Sequence, residues 1–180
     1  MAQTLSTEHP LHRWFSGLVE NALYSEVGLC DPALADYLSV LLVDFIHMDR
    51  IFPFRDDFGR PIAQIADMLS MTQSHAPAAT REAIVHRHIG DFTLFWTGIY
   101  PENLKRLCAR DHRDHFIDYF RQGKRSYAIA SELSAENTAP PASLLRRLSD
   151  HFEYCVYGLG AVRREVRACE AESRSAGLRT

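Results

Sequence analysis

Apolar residues recur along this chain at steps of three and four, and prolines interrupt the recurrence. Between Pro10 and Ser25, the residues Leu11, Trp14, Phe15, Leu18, Val19, Ala22 and Leu23 fall on one side of a 3.6-residue spiral, the pattern of a helix with one buried face. Between Pro32 and Met48, Leu34, Leu38, Leu41, Leu42, Phe45 and Ile46 do the same. Val40 and Val43 fall on the opposite side, so this helix is apolar nearly all round and belongs in the middle of a bundle. No segment alternates with a period of two, and no Asn-Gly or Asp-Gly pair marks a hairpin. The pattern predicts an all-α fold, a mostly antiparallel bundle of about five to seven helices. It forms a single domain over residues 1–169, followed by a frayed tail at 170–180.

The prolines place the breaks. Asp31-Pro32 reads as an N-cap followed by proline at the first helical position. Pro61 and Pro77 open helices in the same way, and Asn137-Thr138-Ala139-Pro140-Pro141 reads as a linker. The remaining predicted helices are Pro61–Met71, Ala78–Ile99, a short Glu102–Ala109, Asp111–Leu133 and Ala142–Ala168. Phe92–Tyr100 is rich in β-forming residues, yet it continues the helical spacing of Ile84, Val85 and Ile89. The loop Ile51–Gly59 is aromatic, and its phenylalanines are expected to tuck against the bundle. Gly123 falls on an apolar helix face beside Phe116 and Tyr127. A glycine inside a helix costs about 1 kcal/mol against alanine, and close approach of a second helix is the expected compensation.

Composition excludes whole classes. With 46% hydrophobic and 24% charged residues, the chain is neither disordered nor a disulfide scaffold. No apolar run reaches the ~20 residues that cross a membrane. The four cysteines form no CxxC pair, and Met1–His9 is polar with no apolar leader, so a cytoplasmic protein is expected. Net charge is −3, unevenly spread. Residues 1–90 carry 6 arginines against 11 acidic residues, and residues 91–180 carry 14 basic against 12 acidic. That balance argues against a nucleic-acid partner and leaves room for a local anion site in the second half.

Nine histidines are the one compositional excess with chemical use. At about 100° per residue, His88 falls mid-arc on the apolar face of its helix. His112 lies inside the arc of the 111–133 helix, His115 at its edge, and His151 at the edge of the last helix. Imidazoles from facing helices are how bundles hold a transition metal or haem, so these four residues form a candidate metal site. Core histidines bonded to tyrosine or backbone groups produce the same pattern. A ferritin-like di-iron centre is excluded, because the chain has no Glu-x-x-His. No nucleophile elbow is present, so no catalytic residue is predicted.

Two further groups carry expectations. Arg121, Lys124 and Arg125 form a candidate anion or small-ligand site, although the strand–loop–helix setting of a P-loop is missing. The cluster Arg163, Arg164 and Arg167 is expected to end the last helix, where cations complement the helix dipole. Leu94, Val40, Val43, Tyr154 and Tyr157 are apolar or aromatic residues outside the main arcs. Tyrosine beside arginine is typical of interface anchors. The function expected is a non-catalytic helical interaction protein that self-associates or binds a protein partner. A metal- or haem-binding bundle and an anion binder are the alternatives.

Overall fold

The computed structural model describes residues 10–73, 79–104, 118–135 and 138–177. Helix α1 (Pro10–Asn21) starts on a proline, where the missing N–H is no loss. It runs on into a π-helical segment, Ala22–Val27, and stops at Gly28, whose φ of 78° is left-handed. Glycine takes that turn without a Cβ penalty. The Leu29 N–H then returns to the Leu23 carbonyl at 2.8 Å.

Helix α2 (Pro32–Asp44) begins as its sequence predicts. The Asp31 carboxylate accepts from the N–H groups of Ala33 at 3.1 Å and Leu34 at 3.2 Å. Its other oxygen accepts from Arg147 at 2.8 Å, so the cap also holds a distant helix in place. The helix ends four residues earlier than expected, and the single turn α3 (Met48–Ile51) follows. Pro61 does not open a helix. It pairs with Arg55 in an isolated bridge, and α4 is Ile65–Gln73. The intervening loop is organised by Asp56, which accepts from the Phe58 and Arg60 N–H groups and from Arg60 Nε. Phe52 and Phe54 tuck inward as expected, but Phe58 is 84% exposed beneath the Arg60 guanidinium.

Helix α5 (Ala79–Ile99) is the centre of the structure. Residues on every side of it are buried, because α6 (Tyr119–Leu133), α8 (Phe152–Gly177), α4 and α2 all pack against it. Phe92–Tyr100 is helical up to Ile99, as its spacing predicts. Helix α6 starts later than Asp111. Asp118 adopts extended backbone and caps the helix by accepting from the Arg121 N–H at 3.2 Å. The last predicted helix is two: α7 (Ala142–Asp150) and α8, broken at His151. The break lets the fully buried Phe152 ring turn into the α5–α6 seam. Helix α8 then continues past Ala168 to Gly177, over the stretch expected to fray.

Glycines set the closest approaches. A Cβ on Gly123 would overlap the Phe152 ring and the Thr93 hydroxyl, so the close helix approach expected there is present. A Cβ on Gly90 would lie 2.8 Å from the Tyr127 ring, and one on Gly98 would lie 2.6 Å from Leu159 Cβ. All described elements are helical apart from the Arg55–Pro61 bridge.

These contacts predict opposite outcomes for two glycine-to-alanine changes. Gly123→Ala overpacks the seam and destabilises the fold by about 1–3 kcal/mol despite the better helix propensity. Gly17→Ala, in open space on α1, stabilises it by about 0.5–1 kcal/mol. Urea denaturation of both variants measures the difference.

Candidate functional site

The structure separates the residues singled out by spacing. His88 is 8% exposed and packs among Phe45, Phe54 and Phe92, with its ring bonded to the Ile51 backbone. His151 caps α7 beside Tyr154. His112 and His115 lie outside the described residues. Among the described residues, no group of three or more His, Cys, Asp or Glu side chains could hold a metal.

Arg121, Lys124 and Arg125 do come together, around a shallow depression of about 570 Å³. Lys124 is engaged there by the Glu153 carboxylate at 2.8 and 3.1 Å. Leu94 and Val43 are buried inside the chain, at 0% and 3% exposure, so neither presents a surface. The angles that put them on second faces were right, but α2 and α5 are covered on more than one side. Val40, Tyr154 and Tyr157 are exposed, and the Arg164 guanidinium lies 6.0 Å from the Tyr157 ring centre. Arg163, Arg164 and Arg167 do not end a helix. Arg164 pairs with Glu26, while Arg163 and Arg167 both donate to Glu102 Oε1 at 2.8 Å.

A second polar group sits in the seam of α2, α5 and α6. Asp91 Oδ1 accepts from both Tyr37 Oη and Tyr127 Oη at 2.7 Å. Loss of solvent pushes the Asp91 carboxyl up to about 6, against the pull of the two phenols and of Arg87. Burial likewise raises both phenols well above their usual range. Asp91 reads in sequence as an ordinary polar helix residue, and only the two tyrosines, 54 and 36 residues away, reveal its role. The buried hydroxyls of Thr93 and Thr97 donate to carbonyls one turn back on α5. The Ser149 hydroxyl donates to the Lys124 carbonyl, and burial pushes the Cys155 thiol up to about 12. These groups serve the fold, and none is poised as a nucleophile.

A groove of about 660 Å³ lies at the C-terminal end of α5. Its walls are Phe15 of α1, Phe45 of α2, Phe95 and Trp96 of α5, and Val162 and Val166 of α8. The lip carries Ile46, Met48 and Tyr100, at 49%, 64% and 39% exposure. Trp14, also exposed, packs on Phe15 at 4.9 Å and extends the apolar surface. Trp96 is clamped edge-on by Phe92 and Phe95 at 6.0 and 5.7 Å, which orients its indole. Asn103, Arg163, Arg167 and Glu170 supply the polar side. An apolar cleft of 300–1,000 Å³ with few polar groups is the usual form of a small-molecule site.

Compared with known proteins, the chain matches no family model, no curated protein and no solved structure.

His88 and Asp91 predict a compensation in pH dependence. Burial pushes the His88 imidazole down to about 4. Between that value and 6.5 the unfolded chain binds a proton that the folded chain refuses, so His88 adds stability as pH rises. Asp91 works in the opposite sense. Between 3.8 and about 6 the folded chain holds a proton that the unfolded chain releases, so its contribution falls as pH rises. Each term is about 3 kcal/mol at 1.36 kcal/mol per unit. Asp91→Asn therefore gains about 3 kcal/mol relative to wild type between pH 4 and 6, and His88→Gln loses about as much. Urea titrations at half-unit pH steps measure both.

Proposed function

We propose that the protein is a non-catalytic helical binding protein whose working site is the aromatic groove between α2, α5 and α8. The observation that supports this is the groove itself. It is about 660 Å³ of apolar-walled space bounded by four helices, with large hydrophobic side chains left exposed along its lip. A bundle that needed those residues for folding alone would have covered them, since exposed apolar patches mark binding sites. The occupant is a small molecule with an apolar body.

The test uses a neutral reporter. Nile red is expected to bind the wild-type chain saturably, at about one dye per chain, with a blue-shifted emission. Val166→Trp fills the groove from α8, and it is expected to weaken dye binding at least tenfold while helicity and melting temperature stay near wild type. Equal dye binding by both proteins would remove the proposal.

A second reading, self-association, rests on the exposed tyrosines of α8. Tyr154 and Tyr157 are 54% and 57% exposed and lie three residues apart, hence on one face. If a second copy covers them, Tyr154→Glu and Tyr157→Glu lower the sedimentation coefficient from dimer to monomer without changing helicity. A wild-type chain that sediments as a monomer at 100 μM excludes it.

A further inference from the structure

The most exposed large hydrophobic side chain among the described residues is Phe58, at 84%. It stands in a turn, residues 57–61, in which every residue is exposed. The turn is nonetheless fixed. The Asp56 N–H donates to the Arg60 carbonyl and the Gly59 N–H to the Asp56 carbonyl, each at 2.9 Å. The Asp56 carboxylate accepts from the Phe58 N–H at 2.9 Å and from the Arg60 N–H and Nε at 2.8 Å. Gly59 takes the left-handed corner at a φ of 75°. A connection between two helices needs turn residues of this kind and has no need of an aromatic ring at its tip. A ring held in place and left in water has the form of an interface anchor. Aromatic side chains carry a large share of interface energy, and a turn ordered in advance loses little freedom on docking.

The chain's own groove is out of reach of this ring. Phe52 and Phe54 pin the base of the loop against Phe92 and His88, at 6.0 and 5.1 Å between ring centres, and Phe58 is not among the residues lining the groove. A second copy of the chain presents the same groove without that restraint. Charge matches the two surfaces. Asp57 and Arg60 flank Phe58, one charge of each sign. On the α8 rim of the groove stand Arg167 and Glu170, three residues apart and hence neighbours on the helix. Arg60, Arg167 and Glu170 have side chains 73%, 57% and 61% exposed. Setting Asp57 against Arg167 and Arg60 against Glu170 makes both contacts attractive. Arg163 and Arg167 are balanced by Glu102 and Glu170, so this rim selects neither an acidic nor a basic partner, and it suits a tip that carries both signs.

We propose that the Phe58 turn of one copy docks in the aromatic groove of a second copy, so that self-association and small-molecule binding compete for one site. The proposal rests on the groove being the working site. The contact joins two different surfaces, so each copy donates one turn and accepts another, the heterologous kind of interface.

Two variants separate the halves of the contact. Phe58→Ser keeps the groove and removes the ring, at a position whose exposure leaves the fold intact. Val166→Trp keeps the ring and fills the groove. At 100 μM wild type is expected to sediment faster than a monomer, each variant as a monomer, and their equimolar mixture as a one-to-one complex. Nile red bound to Phe58→Ser is expected to lose at least threefold in apparent affinity when Val166→Trp is added, and nothing when the added chain carries both substitutions. A monomeric wild type, or a mixture that forms no complex, overturns the proposal. So does an assembly dispersed by Tyr157→Glu and untouched by Phe58→Ser, which assigns self-association to the tyrosine face instead. If Nile red binds Phe58→Ser and Val166→Trp does not displace it, the docked turn is overturned while the groove stands as a small-molecule site. If Nile red binds neither wild type nor Phe58→Ser, the groove itself is overturned, and this proposal with it.

Discussion

The structure depends on α5 being enclosed. A helix buried on nearly every side has no solvent face for its polar atoms, and neighbouring backbones must come close enough to seal it. Glycine makes that approach possible at three places. Gly90 sits beneath the Tyr127 ring, Gly98 against Leu159, and Gly123 beneath Phe152 and Thr93. Enclosure also decides what α5 can carry. Thr93 and Thr97 turn their hydroxyls back onto their own helix, Asp91 is held by two tyrosines from flanking helices, and His88 is kept neutral among three phenylalanines. Asp91, Thr93 and Thr97 are thereby paired, in keeping with the cost of burying an unpaired group, while one ring nitrogen each of His86 and His88 is buried without a partner.

The cover on α5 changes at Trp96. Up to this point α6 covers one flank of α5, through Tyr127 at Gly90 and through Gly123 itself at Thr93. Beyond it the cover passes to α8, which contacts α5 at Gly98 and then runs outward. From Arg164 to Ser175, Val166 is the one residue that is not exposed. Across the gap, α2 has already ended at Asp44, and α3 is a single turn. The groove is the space left between a helix that ends early and one that extends past its neighbours. Ile46 and Met48 are exposed because they belong to the break and not to either helix.

How much of this was legible follows from which signals are local. Helical spacing and proline caps are local, so the all-α class, the start of α2 at Asp31-Pro32 and the extent of α5 could be read directly. Gly123 was legible because an apolar-face glycine inside a helix has few other uses. The boundary errors share one cause: spacing treats a predicted helix as continuous, but Asp118 starts α6 from extended backbone and His151 divides the last helix in two. The π-helical segment at Ala22–Val27 adds a further offset that a 3.6-residue spiral does not carry. Leu94 and Val43 were correctly placed on second faces, but whether such a face meets solvent or another helix is a tertiary fact. Asp91 and the Arg163–Glu102–Arg167 cluster were illegible for the same reason, since their partners lie 36 to 65 residues away.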